Sequence, residues 1–391
     1  MEILPCERHG VLNGHGGRPL TLWIIGDPHY LSPSLFDAAA ASFQRILPFN
    51  SGKLIEAIPD LMSDFFSRAR SEKPDAVLVP GDLTLNGELA GLRELAAEFH
   101  RLQEDGIPVF AIPGNHDIDC RYAWDLTGDS AAPADAVHAE DFRTLIGPFG
   151  YDNSISHAPD SLSWITPVCG NLWIMGLDSD TKQYPGGITE PTLHWAEEQL
   201  AAAQEQGVTV ITMTHHNVLV QSPFMEKGYV LQNRREAAEL LKRMNVTLNI
   251  SGHVHMQHCS SEDGLTDIAT ESVSLFPLGF AVLEIEAGHQ TWNYRREYFR
   301  RYQDAALQRM FETTGSFLAG TLSQFEADDR EKERMLKTGQ EACTAVFAGW
   351  KYTPSDAEAA QGAALWKAYG SDTFWGRYII SAIDNEHIRS E

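Results

Sequence analysis

The chain has 391 residues, 43% of them hydrophobic and 10% aromatic, enough for one large domain plus a smaller one, or for two domains with a buried core. Its 30 Lys and Arg against 54 Asp and Glu leave a formal charge of −24, which argues against a general nucleic-acid binder, since that needs a basic stripe. A small anionic substrate stays compatible, because bound divalent cations dominate the field of an acidic site.

Five cysteines, Cys6, Cys120, Cys169, Cys259 and Cys343, are widely spaced and form no CxxC pair, the pattern of free thiols in a reducing compartment. No run reaches the roughly 18 apolar residues of a membrane span. The polar, Gly-rich residues 1–19 show no charged-then-apolar leader pattern. A cytoplasmic protein with no membrane partner is expected.

Residues 20–25 form an apolar run of strand length that ends at Gly26-Asp27-Pro28-His29. His9 and His15 precede it and read as mobile polar residues. A loop at 30–34 and a helix up to Leu47, broken by Pro48, come next. Over 53–70, Leu54, Ile55, Ile58, Leu61, Met62, Phe65 and Phe66 recur at helical spacing, and Pro59 marks a kink or the true start. Ala76–Val79 reads as a second strand, ending at Gly81-Asp82. Residues 88–103 carry Leu89, Leu92, Leu95, Ala96 and Phe99 on one helical side. The run 107–113 is a third strand and stops at Gly114-Asn115-His116-Asp117. Strand and helix alternate as βαβαβ, which favours a largely parallel sheet with right-handed crossovers.

Residues 118–161 are long and less regular, with a short helix at Ala139–Ile146; such an insertion is a candidate lid or specificity loop. Strands are expected at 162–166 and 171–177 around a turn at 167–170, then a helix at 190–206. A strand at 208–214 ends at His215-His216. After a helix at 234–244, a strand at 246–250 ends at Gly252-His253-Val254-His255. Strands at 265–270, 280–285 and 290–294 close the sheet. The pattern then turns helical, with one segment from Leu307 to Phe325, a second from Met335 to Trp350, and a third carrying Leu365, Trp366, Tyr369, Phe374, Trp375 and Tyr378. Residues 300–391 therefore read as a C-terminal helical domain appended to a domain at 1–299, its aromatics packing one on the other.

Five blocks share one layout, an apolar strand followed by metal-type ligands, and the C-terminal ends of strands are where open α/β sheets bind ligands. Asp27 and His29 stand two apart. Asp82 offers a carboxylate able to bridge two ions, Asn115 a neutral amide oxygen, and His215, His253 and His255 imidazoles. The i, i+2 pair His253 and His255 points to one side of an extended segment. Gly114 and Gly252 permit close backbone approach. Mixed N and O ligands with no thiolate suit two divalent or trivalent ions such as Mn, Fe or Zn, not a structural tetrahedral zinc. Two ions about 3.5–4 Å apart clamp the attacking and leaving oxygens of a displacement at phosphorus and activate water near neutral pH. One histidine at a strand end is more often a structural residue; five such blocks in this order are hard to reach by chance.

The series Asp-x-His, Gly-Asp, Gly-Asn-His-Asp, His and Gly-His-x-His over residues 20–295 resembles the signature of the calcineurin-like metallophosphoesterases. The resemblance implies an α/β (α+β) fold, a four-layer α/β/β/α sandwich with a two-metal centre at the strand ends. Carried over by motif, Asp27, His29, Asp82 and His255 would hold the first ion, and Asp82, Asn115, His215 and His253 the second. His116 would stabilise the transition state or protonate the leaving alkoxide, a role suited to imidazole. Asp117 would orient His116 or the loop backbone. Gly81-Asp82-Leu83-Thr84, Asn86-Gly87, the Gly-Asn-His-Asp ending and the C-terminal helices look most like class III cyclic-nucleotide phosphodiesterases. Where the family often has His-His-x-Pro, this chain has His215-His216-Asn217-Val218. His215 aligns with the family ligand, which leaves His216 supporting the ligands or facing substrate.

Asn86, Tyr122 and Trp124 are further candidates to meet a substrate base or phosphate, with packing or surface roles at least as well supported. His258 stands close behind the Gly-His-Val-His block; His100, His138, His157, His194, His289 and His387 carry no functional reading. The sequence thus predicts a dinuclear metal-dependent phosphodiesterase acting on a small nucleotide, a cyclic one in the narrower reading. A phosphomonoesterase acting on a nucleotide or phosphoprotein would use the same ligands. A catalytically inactive metal- or partner-binding member is opposed by the intact ligands and His116. The charge disfavours a nuclease acting on duplex nucleic acid. The C-terminal helices offer a surface for a homo-oligomer or a cap over the site.

Overall fold

The computed structural model describes residues 8–12, 14 and 17–388; Cys6 and His15 lie outside them, and only the backbone of Cys169 is described. Strand Leu20–Ile24 shows how the layers arise. Leu20, Leu22 and Ile24 join one core cluster, while Trp23 and the following Ile25 join another. Alternate side chains leave a strand on opposite faces, so a strand apolar throughout must be covered on both.

That strand lies in a six-stranded sheet whose order is Arg8–Val11, Thr291–Tyr298, Gly279–Ile285, Leu20–Ile24, Ala76–Val79, Val109–Ala111. The last three run parallel, as the βαβαβ pattern requires, and the others are antiparallel. A second sheet of seven strands runs His258–Glu262, Leu265–Ala269, Leu248–Ser251, Thr209–Thr214, Leu172–Leu177, Trp164–Cys169, Ser156–His157. The largely parallel sheet that the βαβαβ order favours is instead two mixed sheets, the arrangement the four-layer resemblance implied. Periodicity reports which face of a strand is buried, not which strand lies beside it.

The sheets pack face to face through Leu22, Ile24, Leu78, Phe110, Trp164, Ile174, Ile211, Ile250 and Leu283. Helices Glu190–Glu205 and Arg234–Arg243 cover the outer face of the second sheet. Helices Ile58–Glu72 and Leu89–Glu104 cover that of the first, giving a four-layer α/β/β/α sandwich. Pro59 sits in the first turn of Ile58–Glu72 and marks its start, not a kink. Upstream, the expected helix shrinks to Ala41–Ile46, after a 3-10 turn at Pro33–Leu35.

Two other expectations are corrected, and one strand was not foreseen. Residues 167–169 are not a turn: strand Trp164–Cys169 continues through them with a register shift between Pro167 and Cys169, a bulge being where a strand tolerates a proline, and the turn is confined to Gly170 and Asn171. Strand His258–Glu262 had no apolar alternation to reveal it. His9 is in strand Arg8–Val11, opposite Asn293, rather than in a mobile segment.

The C-terminal helices are Gln303–Leu322, Asp329–Phe347, Ala357–Tyr369 and Phe374–Ile383. The third expected segment splits because Thr373 caps a new helix, its hydroxyl accepting from Gly376 N–H. Met310, Leu318, Trp350 and Trp366 share one continuous core with Phe65, Phe276 and Phe280 of the sandwich. At the seam, Arg296, held in a buried ion pair with Glu271 of the sandwich, donates to the Ala348 carbonyl of the helical segment. No helix among the described residues is long and apolar enough to cross a membrane.

Candidate metal centre

The seven ligand-type residues meet at one edge of the sandwich, just past the ends of five strands, with Asn115 following Val109–Ala111. Asp27 and His29 follow Leu20–Ile24, Asp82 follows Ala76–Val79, His215 follows Thr209–Thr214, and His253 and His255 follow Leu248–Ser251. Each chain must turn sharply there to aim its side chain inward. Five of these residues have left-handed backbone: Asp27 (φ 42°), His29 (46°), Asp82 (48°), His253 (69°) and His255 (57°). Such conformations are rare outside glycine and cost on the order of 1–3 kcal/mol each, so the surrounding fold must impose them. They also correct the expectation of an extended His253-Val254-His255 segment.

Close approach needs the glycines. A Cβ at Gly114 would stand 2.3 Å from both the backbone nitrogen and Oδ1 of Asp82, and one at Gly252 2.8 Å from Asp27 Oδ2.

Two ligand groups result, sharing Asp82. In the first, one ligand atom from each of Asp27, His29, Asp82 and His255 lies within 4.8 Å of the others; in the second, the same holds for Asp82, His215 and His253. The two oxygens of Asp82 divide between them: Oδ2 lies 3.5 Å from His29 Nε2 and Oδ1 3.4 Å from His215 Nε2. His29 Nε2 and His255 Nε2 face each other at 2.8 Å. Asn115 Oδ1 is 3.0 Å from His215 Nε2, which brings the amide to the second group.

Further hydrogen bonds fix which ring nitrogens stay open. His215 Nδ1 donates to the Pro80 carbonyl (2.9 Å), leaving Nε2 toward the centre. His253 Nε2 donates to the Gly228 carbonyl (3.0 Å), leaving Nδ1 3.3 Å from His215 Nε2. Asp27 Oδ1 accepts the His253 N–H (2.9 Å), while its buried Oδ2 has no hydrogen-bond partner. Converging lone pairs, an orphaned carboxylate oxygen and no thiolate are a donor set that fits two borderline or hard cations.

The electrostatics agree. Burial pushes Asp27 up to about 7, with Asp82 adding to the effect. Burial opposes charge on His215, yet Asp82, Asp27 and Asp180 outweigh it and hold the imidazole up to about 10. Burial pulls His29 and His255 well below the ordinary histidine range. A carboxylate-rich pocket that draws a proton onto one imidazole is one in which a cation is stabilised.

His116 is half-buried at the rim, its ring edge-on to His29 at 4.9 Å. Its Nδ1 faces two acceptors, the Leu85 carbonyl (2.8 Å) and Asn86 Oδ1 (3.0 Å), so Nδ1 carries hydrogen and Nε2 is left for chemistry. The geometry thus gives Asn86 a role in orienting His116. Asp117 is fully buried and its carboxylate accepts from the backbone N–H groups of Leu83, Thr84 and Gly114 and from the Thr84 hydroxyl. It ties the Asp82 loop to the Asn115 loop rather than touching the His116 ring.

His216 Nδ1 meets Ser179 Oγ at 3.0 Å and lies 3.7 Å from Asp180, and its ring packs 4.1 Å from that of His253. Tyr122 is 60% exposed and its ring contacts Trp124 edge-on. His258 is removed from the centre, buried between the carbonyls of Gln221 and Val346.

Sequence reasoning missed Lys53, Ser179, Asp180 and Asp267. Asp267 accepts from Val218 N–H and Leu219 N–H and so anchors the loop after His215. Lys53 is only 5% exposed, and burial pulls its ammonium down to about 8 against the pull of Asp82 and Asp27. Its neighbours in sequence gave no hint of the site.

The calcineurin-like phosphoesterase family model matches residues 20–257, from the first ligand-bearing strand to just past His255. The chain belongs to that family. Two relatives named probable cyclic nucleotide phosphodiesterases are similar to it. One, from Moraxella catarrhalis, is 28% identical over 196 residues, 49% of this chain and 62% of that protein. The other, from Psychrobacter arcticus, is 29% identical over 201 residues, 51% and 63%. The chain thus spans less than two thirds of the length of these relatives. Among solved structures, a dimetal phosphatase from Danio rerio aligns over 68% of this chain and 93% of its own at 15% identity, with a TM-score of 0.46.

Proposed function

We propose that this calcineurin-like phosphoesterase hydrolyses a phosphodiester of a small nucleotide at a two-metal centre built by Asp27, His29, Asp82, Asn115, His215, His253 and His255. The observation that carries this reading is the sharing of Asp82: one oxygen turned to each ligand group, with the open nitrogen of His116 beside them. When bound, two divalent ions supply an activated water and withdraw charge from the phosphoryl group. The protein's own part is to hold the ligands in strained loops, to keep His215 and His253 in the tautomers set by Pro80 and Gly228, and to present His116 Nε2. With Nδ1 donating to Leu85, that nitrogen gives a proton to the leaving alkoxide, or a hydrogen bond to a phosphoryl oxygen, when His116 is in its doubly protonated imidazolium form, which burial opposes and Asp82 favours. The choice of a diester, and of a nucleotide, is supported by the names of the two bacterial relatives. Mn, Fe and Zn all suit the donor set.

The test is hydrolysis by manganese-reconstituted protein of bis-p-nitrophenyl phosphate against p-nitrophenyl phosphate, then of a panel of cyclic nucleotides. A preference for the diester is expected. A preference for the monoester would instead make the protein a phosphomonoesterase.

A further inference from the structure

The centre opens to solvent on one side. Asp27, His29, Asp82 and His215 are buried, whereas Asn115 is exposed and His116, His253 and His255 are half-buried. Beside this mouth stands an aromatic ring that the reading above does not use. Tyr229 is 39% exposed, and its ring lies 6.1 Å from that of His253, tilted by 54°. Of the large hydrophobic side chains left exposed among the described residues, it is the one in ring contact with a ligand residue. Tyr122, more exposed still, has its ring against Trp124 instead.

The loop that carries the ring is pinned on both sides. Gly228, in left-handed backbone (φ 85°), turns its carbonyl onto His253 Nε2 (3.0 Å), which ties the residue after it to the centre. The Glu226 carbonyl accepts from the Tyr229 and Val230 N–H groups (3.4 Å each), and Leu231 N–H donates to the carbonyl of Asn217 (3.0 Å), two residues past His215. On the far side the Phe224 ring packs edge-on against Phe374 (5.8 Å) and Tyr378 (5.5 Å) of C-terminal helix Phe374–Ile383. A stiff ring on a pinned loop loses little freedom when a flat partner covers it, and the covered area comes out of water.

A ligand that reaches both the metal centre and this ring needs a planar group a short linker away from its phosphorus. A nucleotide has that form, with one pentose between phosphate and base. We propose that Tyr229 is a specificity-determining residue whose ring stacks on the base of a nucleotide substrate, and that the C-terminal helices, through Phe224, hold the loop that presents it. Stacking uses the face that every base has, so Tyr229 favours a nucleotide over a plain phosphoester without choosing among bases. This rests on the phosphoesterase reading, and names its substrate class through a contact made by the chain itself.

The probes are adenosine 5′-monophosphate and ribose 5-phosphate, which share phosphate and pentose and differ by the base. Each is titrated calorimetrically into the manganese-loaded whole chain, with metal content measured on each sample. Wild type is expected to bind the nucleotide about tenfold more tightly, the usual worth of one stacked base. Tyr229→Phe is expected to keep that margin, and Tyr229→Leu, which has no ring, to reduce it to about twofold or less at equal metal content. Equal affinity for the two probes in wild type, or the full margin in Tyr229→Leu, would overturn the proposal. If Tyr229→Leu loses metal, Tyr229→Trp decides: its larger ring is expected to widen the margin, and a margin unchanged or narrowed would overturn the proposal as well. Wild type that shows the margin but hydrolyses no ester would sink the functional reading alone; wild type that binds neither probe would sink both.

Discussion

His116 has one nitrogen available for chemistry because the other is engaged by Leu85 and Asn86. The imidazole lies outside both ligand groups, so its removal should leave them intact. His116→Ala is therefore expected to bind manganese as wild type does and to lose about 10²- to 10⁴-fold in kcat, the usual worth of a positioned proton donor. Undiminished turnover at equal metal content would remove His116 from the mechanism. At this scale much was legible: all seven ligand-type residues named from sequence lie together, because each follows an apolar run that had to end at a sheet edge. Lys53 was not legible. One of the contacts that fix its backbone comes from Arg309, 256 positions along the chain, and no local pattern reports a contact at that range.

At the scale of single elements, the loops after the strands store the strain that builds the site. The strands that deliver them were readable from apolar runs, but the left-handed turns at Asp27, His29, Asp82, His253 and His255 were not, since these residue types do not signal positive φ as glycine does. The loop before helix Leu89–Glu104 adds a titratable strut. Glu88 is 1% exposed, and its Oε2 accepts the Asn86 N–H at 2.8 Å. Burial pushes its carboxyl up to about 7 from an ordinary 4.5, with Asp117 adding to the shift. The folded-state value lies above the unfolded one, so the stability associated with the protonated acid is fully present below about 4.5 and is lost as pH rises through about 7. Glu88→Gln keeps an acceptor for Asn86 and removes the charge. In metal-free protein it should raise stability near pH 8 by about 1–3 kcal/mol, with the gain vanishing near pH 4, below the unfolded value of 4.5. Thermal unfolding of both proteins at the two pH values checks this; equal midpoints near pH 8 would show that Glu88 is relaxed by solvent in the folded state.

For the whole molecule, the net charge of −24 and the acidic, imidazole-lined centre become consistent once cations occupy it, because they turn a site that repels phosphate into one that attracts it. The four layers, two sheets among them, were implied by the resemblance of the motif series, while strand and helix periods alone did not show the division into two sheets, since it depends on pairings such as Gly279–Ile285 with Leu20–Ile24 across most of the sandwich. The C-terminal helices share the core of the first sheet's outer face, so they brace the side of the sandwich from which the Lys53 backbone is positioned. All of this depends on two ions held around Asp82. The most direct measurement is a titration of metal-free protein with Mn²⁺, following bis-p-nitrophenyl phosphate hydrolysis against ions bound per chain. The account predicts no turnover without metal and a plateau at two ions per chain. Turnover that persists without metal, or that saturates at one ion, would contradict it.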